Sequence, residues 1–106
     1  MGRGPVRAAV IIGGMELLTD DEIAARLGAV PGWERDRGSI RRTVTRSDFR
    51  DAIRYVGAVA DAAEEANHHP DILIQWNRVT LTLSTHSAGG LTAADFALAE
   101  QISGLG

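Results

Sequence analysis

Residues 64–86 read EEANHHPDILIQWNRVTLTLSTH, and this stretch joins the end of a helix to a β-hairpin. Asn67 tolerates the left-handed backbone conformation that closes a helix, and Pro70 forces the residue before it toward an extended conformation. The helix is therefore predicted to stop at the two residues between them. Beyond the proline, apolar side chains recur at every second position, the period that is typical of strands. They form two sets, Ile72, Ile74 and Trp76 and then Val79, Leu81 and Leu83. A tight turn is predicted between the two sets, near Asn77 and Arg78.

All three histidines of the chain, His68, His69 and His86, lie in this stretch. Histidine is the side chain best suited to proton transfer near neutral pH. Two of them stand where the helix meets the first strand and the third just beyond the second strand, so we expect one site to hold all three. Glu64 lies four residues before His68, and Glu65 four before His69, so either carboxylate is predicted to reach a histidine across the last helical turn.

The helix that leads to the histidines is predicted to begin after Ser47, whose hydroxyl can cap the first turn, and to run to about Ala66. Its alanines raise helix propensity and permit close packing on a sheet. Apolar residues recur every three or four positions and predict one buried face, formed by Phe49, Ile53, Val56, Ala60 and Ala63.

The residues before this helix predict a shorter helix and a hairpin. Thr19 precedes Glu22 by three positions, which is the spacing of a capping box, so a helix is predicted to begin after Thr19. Gly28 is predicted to end this helix. A strand is then predicted from Trp33, followed by a tight turn and a returning strand over residues 39–45.

The residues after His86 predict a last helix that begins with a second capping box, formed by Thr92 and Asp95. The elements then follow one another as α-β-β-α-β-β-α, which predicts an α+β fold: a four-stranded antiparallel sheet with three helices packed on one face. The predicted buried face of the last helix consists of Phe96, Ala99 and Ile102.

Composition limits the classes of protein that need to be considered. The 106 residues make one domain, and a hydrophobic content of 44% with 24% charged residues is typical of a globular protein. A net charge of −3 gives no reason to expect nucleic acid as a partner, and no apolar run is long enough to span a membrane. The chain has no cysteine, which suits a reducing cytoplasm. Residues 1–14 are expected to be a non-functional extension, with Met15 as an alternative start, and residues 15–106 the domain.

Four short motifs follow one another at a definite spacing: Glu64-x-x-x-His68-His69-Pro70, Trp76-Asn77-x-Val79, Leu83-Ser84-Thr85-His86 and Gly90-Leu91-Thr92-x-x-Asp95. Together they resemble the pterin-4a-carbinolamine dehydratases. The resemblance extends from about Leu18 to Ile102 and includes Trp33 and the Asp48-Phe49 pair at the start of the long helix. It implies an enzyme that removes water from a 4a-hydroxytetrahydropterin to give a quinonoid dihydropterin, without a metal or any other cofactor.

The resemblance also implies which residues form the site. The hydroxyl group at C4a must gain a proton and N5 must lose one, so two titratable groups near the ring can serve. The implied catalytic residues are His68, His69, His86 and Glu64, the last of which would orient or tune a histidine. Which histidine is the acid and which the base stays open. The implied substrate-binding residues are the three histidines with Pro70, Thr85, Ser87, Ala88, Trp33 and Asp95.

Several of these residues have a structural interpretation as well. A histidine at a helix end can simply compensate the helix dipole, Trp33 is either core or pocket wall, and Asp95 can act as a helix cap alone. A three-histidine zinc site is disfavoured because the adjacent side chains of His68 and His69 diverge and no carboxylate spacing completes a metal motif.

Two expectations concern partners. Animal members of the family also act as dimerisation cofactors for a homeodomain transcription factor, so a protein-binding role is the alternative function. The family further implies a homodimer or homotetramer. The sequence gives its own reason for the same expectation, because Phe96, Leu98 and Ile102 are spread over more than one side of the last helix, and a neighbouring subunit is predicted to cover what the sheet does not.

Overall fold

The computed structural model describes residues 16–106, so the predicted extension at residues 1–14 and the alternative start at Met15 lie outside the described residues. Among residues 16–106, no helix is both long and apolar enough to cross a membrane. The elements in chain order are α1 (Asp20–Leu27), β1 (Glu34–Asp36), β2 (Ser39–Thr45), α2 (Phe49–Ala66), β3 (Asp71–Gln75), β4 (Arg78–Leu83), a short 3₁₀ helix (His86–Ala88) and α3 (Ala93–Ser103). This order confirms the predicted α+β fold with three α-helices and a four-stranded antiparallel sheet.

The sheet has the strand order β1-β2-β4-β3, and each neighbouring pair is antiparallel. Along β4 the side chains of Val79, Leu81 and Leu83 are fully buried, whereas Thr80 and Thr82 between them are half-buried. Because successive strand residues point to opposite faces, the first set faces the helices. The other face, called the open face below, carries Arg41, Thr43, Thr80 and Thr82, and the hydroxyls of Thr43 and Thr80 lie 3.0 Å apart on it.

Both predicted capping boxes are present. In α1 the backbone N–H of Glu22 donates to Thr19 Oγ1 at 3.1 Å, and that of Thr19 donates to Glu22 Oε1 at 2.8 Å. In α3, Thr92 and Asp95 form the same reciprocal pair. Each box satisfies backbone donors that the first helical turn leaves without an intrahelical partner, which explains why both helices begin where the sequence places them.

The start of α2 lies one residue later than predicted. Asp48, rather than Ser47, is the N-cap, and its side chain accepts a hydrogen bond from the backbone N–H of Asp51 at 2.7 Å. Ser47 instead donates from its backbone N–H and its hydroxyl to Asp51 Oδ2, both at 3.1 Å. Serine and aspartate are both common N-cap residues, and of the adjacent Ser47 and Asp48 it is Asp48 that caps the helix.

The predicted buried face of α2 is wrong for most of its members. The buried residues are Ala52, Tyr55, Val59 and Ala63, whereas Phe49 is 53% exposed and Ile53 44% exposed. The helix carries apolar residues on two neighbouring faces, and the sheet takes the face that brings Tyr55 into the core. Phe49 and Ile53 are left on the surface.

The β3–β4 hairpin turns one residue earlier than predicted. Trp76 does not continue the strand but occupies the turn with Asn77, at a φ of 55°, and its side chain is 70% exposed. Two hydrogen bonds hold the turn against the end of β2: Asn77 Nδ2 donates to the Arg46 carbonyl at 2.9 Å, and the Arg46 N–H donates to the Asn77 carbonyl at 2.7 Å. Since β3 is an edge strand, Ile72 and Leu73 are exposed as well.

Helix α3 is covered by its own chain. Phe96, Ala99 and Ile102 are buried as predicted, but Leu98 is also fully buried. The premise that Leu98 needs a neighbouring subunit is therefore wrong. Helix α3 packs against α2, and its residues join those of the sheet and of α2 in a single core, so apolar side chains on several of its sides are covered.

Candidate active site

A groove of about 420 Å³ lies where β4 ends and β3 begins. Strand residues on the open face contribute to it, together with the turn between β1 and β2 and the segment that follows β4. Its lining consists of Gly38, Ser39, His69, Asp71, Thr82, Ser84, His86 and Gly89. Two of the three histidines, His69 and His86, line this groove, whereas all three were expected to share one site.

Strand pairing brings the polar residues of the groove together. Asp71, the first residue of β3, is paired with Thr82 of β4, so both belong to the open face. Ser84 follows two residues later, and its hydroxyl donates to the carbonyl of Gly38 at 2.7 Å. This hydrogen bond ties the β1–β2 turn to the end of β4 and closes one side of the groove.

His69 reaches the groove because α2 ends abruptly. Asn67 adopts the left-handed conformation with a φ of 52°, as predicted, and its N–H donates to the carbonyl of Glu64 at 3.2 Å. Beyond this residue the helical spacing no longer applies, and Glu64 meets His69, five positions later, with 2.6 Å between Oε2 and Nε2. The predicted pairs, Glu64 with His68 and Glu65 with His69, are thus replaced by one pair. Both of its side chains are exposed.

His68 points the other way, into the protein. Its residue surface is 9% exposed, its backbone N–H donates to the Ala63 carbonyl at 3.1 Å, and its Nε2 lies 2.6 Å from Asp95 Oδ1. The adjacent histidines therefore diverge, as expected for neighbouring residues on an extended segment. His68 does not line the groove that His69 and His86 share.

Asp95 is fully buried and lies at the centre of a polar network. Its Oδ2 accepts a hydrogen bond from the Thr85 hydroxyl at 2.8 Å and from the Thr92 N–H at 2.9 Å, and the two threonine hydroxyls lie 2.9 Å apart. A carboxylate only accepts hydrogen bonds, so the Nε2 of His68 carries the hydrogen that it shares with Asp95. The Nδ1 of His68 is then the ring nitrogen left for another partner. Asp95 thus acts both as a helix cap and as the partner of a histidine.

His86 is held by an ordered turn. It begins the 3₁₀ helix after β4, and the Thr85 carbonyl just before it accepts from the N–H groups of Ala88 and Gly89, each at 3.0 Å. The Thr85 N–H donates to the Gly90 carbonyl at 2.9 Å, which closes the segment into a compact loop. The side chain of His86 remains exposed at the groove.

The other predicted site residues lie beside or away from the groove. Thr85 is buried in the Asp95 network, and Pro70, Ser87 and Ala88 flank lining residues without lining the groove themselves. Trp33 is 4% exposed in the core, and its Nε1 donates to Ser103 Oγ at 3.2 Å, so the core interpretation holds.

Sequence reasoning missed six lining residues, namely Gly38, Ser39, Asp71, Thr82, Ser84 and Gly89. The alternation of β4, which Ser84 continues by one residue, could have indicated Thr82 and Ser84, because the polar residues of this stretch share the face away from the core. Gly89 lies next to the predicted residue Ala88, whereas Gly38, Ser39 and Asp71 become neighbours only through strand order. Within residues 16–106, no group of three or more histidine or carboxylate side chains is arranged to hold a metal ion.

Comparison with known proteins agrees with the motifs. Residues 16–105 match the model of the family described as pterin 4 alpha carbinolamine dehydratase. A protein of Mycobacteroides abscessus is 54% identical over 88 residues, which cover 83% of this chain and 94% of that protein. One of Nocardia farcinica is 56% identical over 87 residues, with coverages of 82% and 92%. Both are named "Putative pterin-4-alpha-carbinolamine dehydratase".

Solved structures show the same fold. The "transcriptional coactivator/pterin dehydratase" of Brucella melitensis superposes with a TM-score of 0.77 at 36% identity, covering 80% of this chain and 93% of that one. A pterin dehydratase-like protein described as a RuBisCO assembly factor of the α-carboxysome has a TM-score of 0.54 at 19% identity, covering 67% and 82%, and shares the fold alone. With the family match over residues 16–105 and these identities, the chain belongs to the pterin 4 alpha carbinolamine dehydratase family.

Proposed function

We propose that this protein removes water from a 4a-hydroxytetrahydropterin to give a quinonoid dihydropterin. The single observation that carries the proposal is that His69 and His86, which are 17 positions apart in the sequence, line one groove in a chain of this family. The groove of about 420 Å³ lies within the range of small-molecule sites.

The reaction breaks the C4a–O bond and forms a double bond between C4a and N5. The leaving hydroxyl takes a proton and departs as water, while N5 gives up its proton as its lone pair enters the new bond. In the proposed mechanism His69 and His86 exchange these two protons with the substrate, one as acid and the other as base. Glu64, at 2.6 Å from His69, fixes the orientation of that ring.

His68 is kept in the proposed set because the family resemblance implies it, although it does not line the groove. Its Nε2 is held by Asp95, so it acts through Nδ1. The backbone around Pro70 and from Thr85 to Ala88 is proposed to contact the pterin ring, as the family resemblance implies. Trp33 is not carried into the site because its side chain belongs to the core.

Stopped-flow absorbance tests the proposal directly. A 4a-hydroxytetrahydropterin generated in the instrument should decay faster with the protein than without it, and a strong chelator should leave that acceleration unchanged. An unchanged decay rate would refute the proposed dehydratase activity. Loss of activity on chelation, restored by zinc, would replace the histidine mechanism with a metal-dependent one.

A protein-binding role is the second candidate function, because the Brucella melitensis structure at 36% identity is described as a transcriptional coactivator as well as a pterin dehydratase. Affinity purification with the His86→Ala variant separates the two roles. If the unmodified protein shows no dehydratase activity and the variant still retains a single stoichiometric partner, protein binding is the primary function.

We further propose that the protein is a homodimer or homotetramer, through apolar residues that β3 and α2 leave exposed.

A further inference from the structure

The groove contains one carboxylate to which the proposed reaction gives no role, that of Asp71. Asp71 is the first residue of β3, on the open face, and its side chain is exposed. In the part of the chain that the structure describes, this carboxylate forms no hydrogen bond or ion pair. Glu64, the other carboxylate close to the site, is already held by His69. Among the described lining residues, Asp71 is therefore the carboxylate that stays available to a ligand.

The neighbour of Asp71 across the sheet adds a second polar group. Thr82 is paired with Asp71 in the β3–β4 register and lines the same groove, and its side chain carries a hydroxyl. Two carboxylate oxygens and one hydroxyl, side by side, match a ligand edge that presents two N–H donors followed by an acceptor. A carboxylate that receives two parallel N–H groups forms the strong, bidentate kind of hydrogen bond.

The 2-amino-4-oxopyrimidine half of a pterin presents such an edge: the 2-amino group, N3–H and the 4-oxo oxygen. We propose, on the basis of the proposed function, that Asp71 is the specificity-determining residue of the groove. It accepts hydrogen bonds from the 2-amino group and N3–H, while Thr82 donates to the 4-oxo oxygen. This orientation leaves C4a, at the fusion of the two rings, and N5 of the pyrazine ring toward the histidines.

Binding of two unreactive ligands tests the assignment. One is 7,8-dihydropterin, and the other is 7,8-dihydrolumazine, in which an oxo group replaces the 2-amino group. Because the oxo group turns a donor into an acceptor that faces the carboxylate, calorimetry should show the pterin bound at least about tenfold more tightly by the unmodified protein. In Asp71→Asn this preference should fall to about threefold or less, since the amide cannot accept two hydrogen bonds as a carboxylate does.

The ratio of the two affinities does not depend on the fraction of folded protein, so a poorly folded variant does not imitate the effect. The matched control is Asp61→Asn, an exposed carboxylate on α2 outside the groove, which should keep the full preference. In steady-state kinetics Asp71→Asn should raise KM about tenfold or more and leave kcat within about threefold, because the residue binds a part of the substrate that does not react. A preference unchanged in Asp71→Asn, in a protein that binds and dehydrates pterins, overturns this assignment and leaves the proposed function standing. Failure of the unmodified protein to bind either ligand overturns both.

Discussion

At the scale of single residues, two histidine–carboxylate pairs have the same N···O separation and opposite surroundings. His68 and Asp95 are 2.6 Å apart in the interior, and His69 and Glu64 are 2.6 Å apart on the surface. Burying a charged group costs free energy unless its partners compensate the charge, so removing one partner of a buried pair is destabilising. An exposed pair is screened by water and contributes little to stability. The buried pair should therefore hold the structure as well as the site, and the exposed pair should matter for function alone.

The first prediction concerns the histidines that line the groove. Changing His69 or His86 to Ala should lower the dehydration rate by about 100-fold or more, which is the usual scale of general acid–base catalysis. Because both side chains are exposed, circular dichroism spectra and thermal unfolding should stay close to those of the unmodified protein. Stopped-flow decay of the 4a-hydroxytetrahydropterin measures the rate, with Asp61→Asn as the control. Full activity in both single variants would remove these residues from the site.

The second prediction compares the carboxylates of the two pairs. Asp95→Asn should lower the free energy of unfolding by about 1–3 kcal/mol, because the amide nitrogen of asparagine would face the donors of His68, Thr85 or Thr92 and leave a buried group unsatisfied. Glu64→Gln should change the same free energy by less than about 1 kcal/mol. Urea titrations of the two variants make the measurement. Equal losses in both variants would show that the buried pair does not stabilise the fold more than the exposed pair.

At the scale of elements, a network of hydrogen bonds and ion pairs around Asp51 holds the start of α2. Asp51 accepts hydrogen bonds from the Ser47 backbone and from Arg46, and it also meets Arg54 at 3.0 Å. The backbone hydrogen bond from Ser47, followed by that from Arg46, lowers the pKa of Asp51 from an ordinary 3.8 to about 2. The anionic form is thus favoured by folding, and a negative charge in the first turn also suits the helix dipole.

The third prediction follows from that lowered pKa. Because the folded value lies below the unfolded one, the contribution of Asp51 to stability is fully present above about pH 4 and is lost as the pH falls toward 2. Asp51→Asn should therefore unfold at lower urea concentration than the unmodified protein near neutral pH, and the difference should shrink between about pH 4 and pH 2. The matched control is Asp61→Asn, which removes an exposed carboxylate of the same helix outside this network. A gap for Asp51→Asn that is constant down to pH 2 would contradict the assignment.

The elements themselves were largely predictable, and the reason is that their signals are local. Thr19 with Glu22, and Thr92 with Asp95, fix helix starts through contacts three residues apart, and Asn67 ends α2 by its own backbone preference. The face that a helix buries depends instead on its neighbours. Helix α2 carries apolar residues on two faces, and no local signal indicated that Tyr55 rather than Phe49 would enter the core.

The candidate site shows the same difference between what local sequence signals predict and what depends on the tertiary arrangement. The clustering of the histidines in the sequence points to the region where His69 and His86 line the groove, but it gives no sign that His68 faces the interior. Asp71 and Ser39 become part of the groove only through the strand order β1-β2-β4-β3. Likewise, the partner of His69 changed from Glu65 to Glu64 because the left-handed Asn67 interrupts the helical spacing on which the expectation rested.

At the scale of the whole molecule, the exposed apolar residues are unevenly distributed. Helix α3 leaves none of its large apolar side chains uncovered, so this helix gives no reason to expect a partner subunit. Other residues supply a better reason. On the edge strand β3 and its turn, Ile72, Leu73 and Trp76 are 38%, 53% and 70% exposed. An edge strand that exposes apolar side chains together with unpaired backbone groups is a template for pairing with another chain.

The last prediction is that the protein is a homo-oligomer assembled through this edge. Two copies of β3 can pair antiparallel about a two-fold axis, because an antiparallel pair of identical strands is self-complementary. Such pairing would continue the sheet across both subunits and cover Leu73.

Light scattering at micromolar concentration should give at least twice the chain mass of 11.3 kDa. Leu73→Lys, which places a charge on the pairing edge, should lower the measured mass toward that of one chain, whereas Ala25→Lys on the exposed side of α1 should not. A mass near 11.3 kDa for the unmodified protein would refute the oligomer, and an unchanged oligomer in Leu73→Lys would move the interface to Phe49 and Ile53, the apolar residues that α2 leaves exposed.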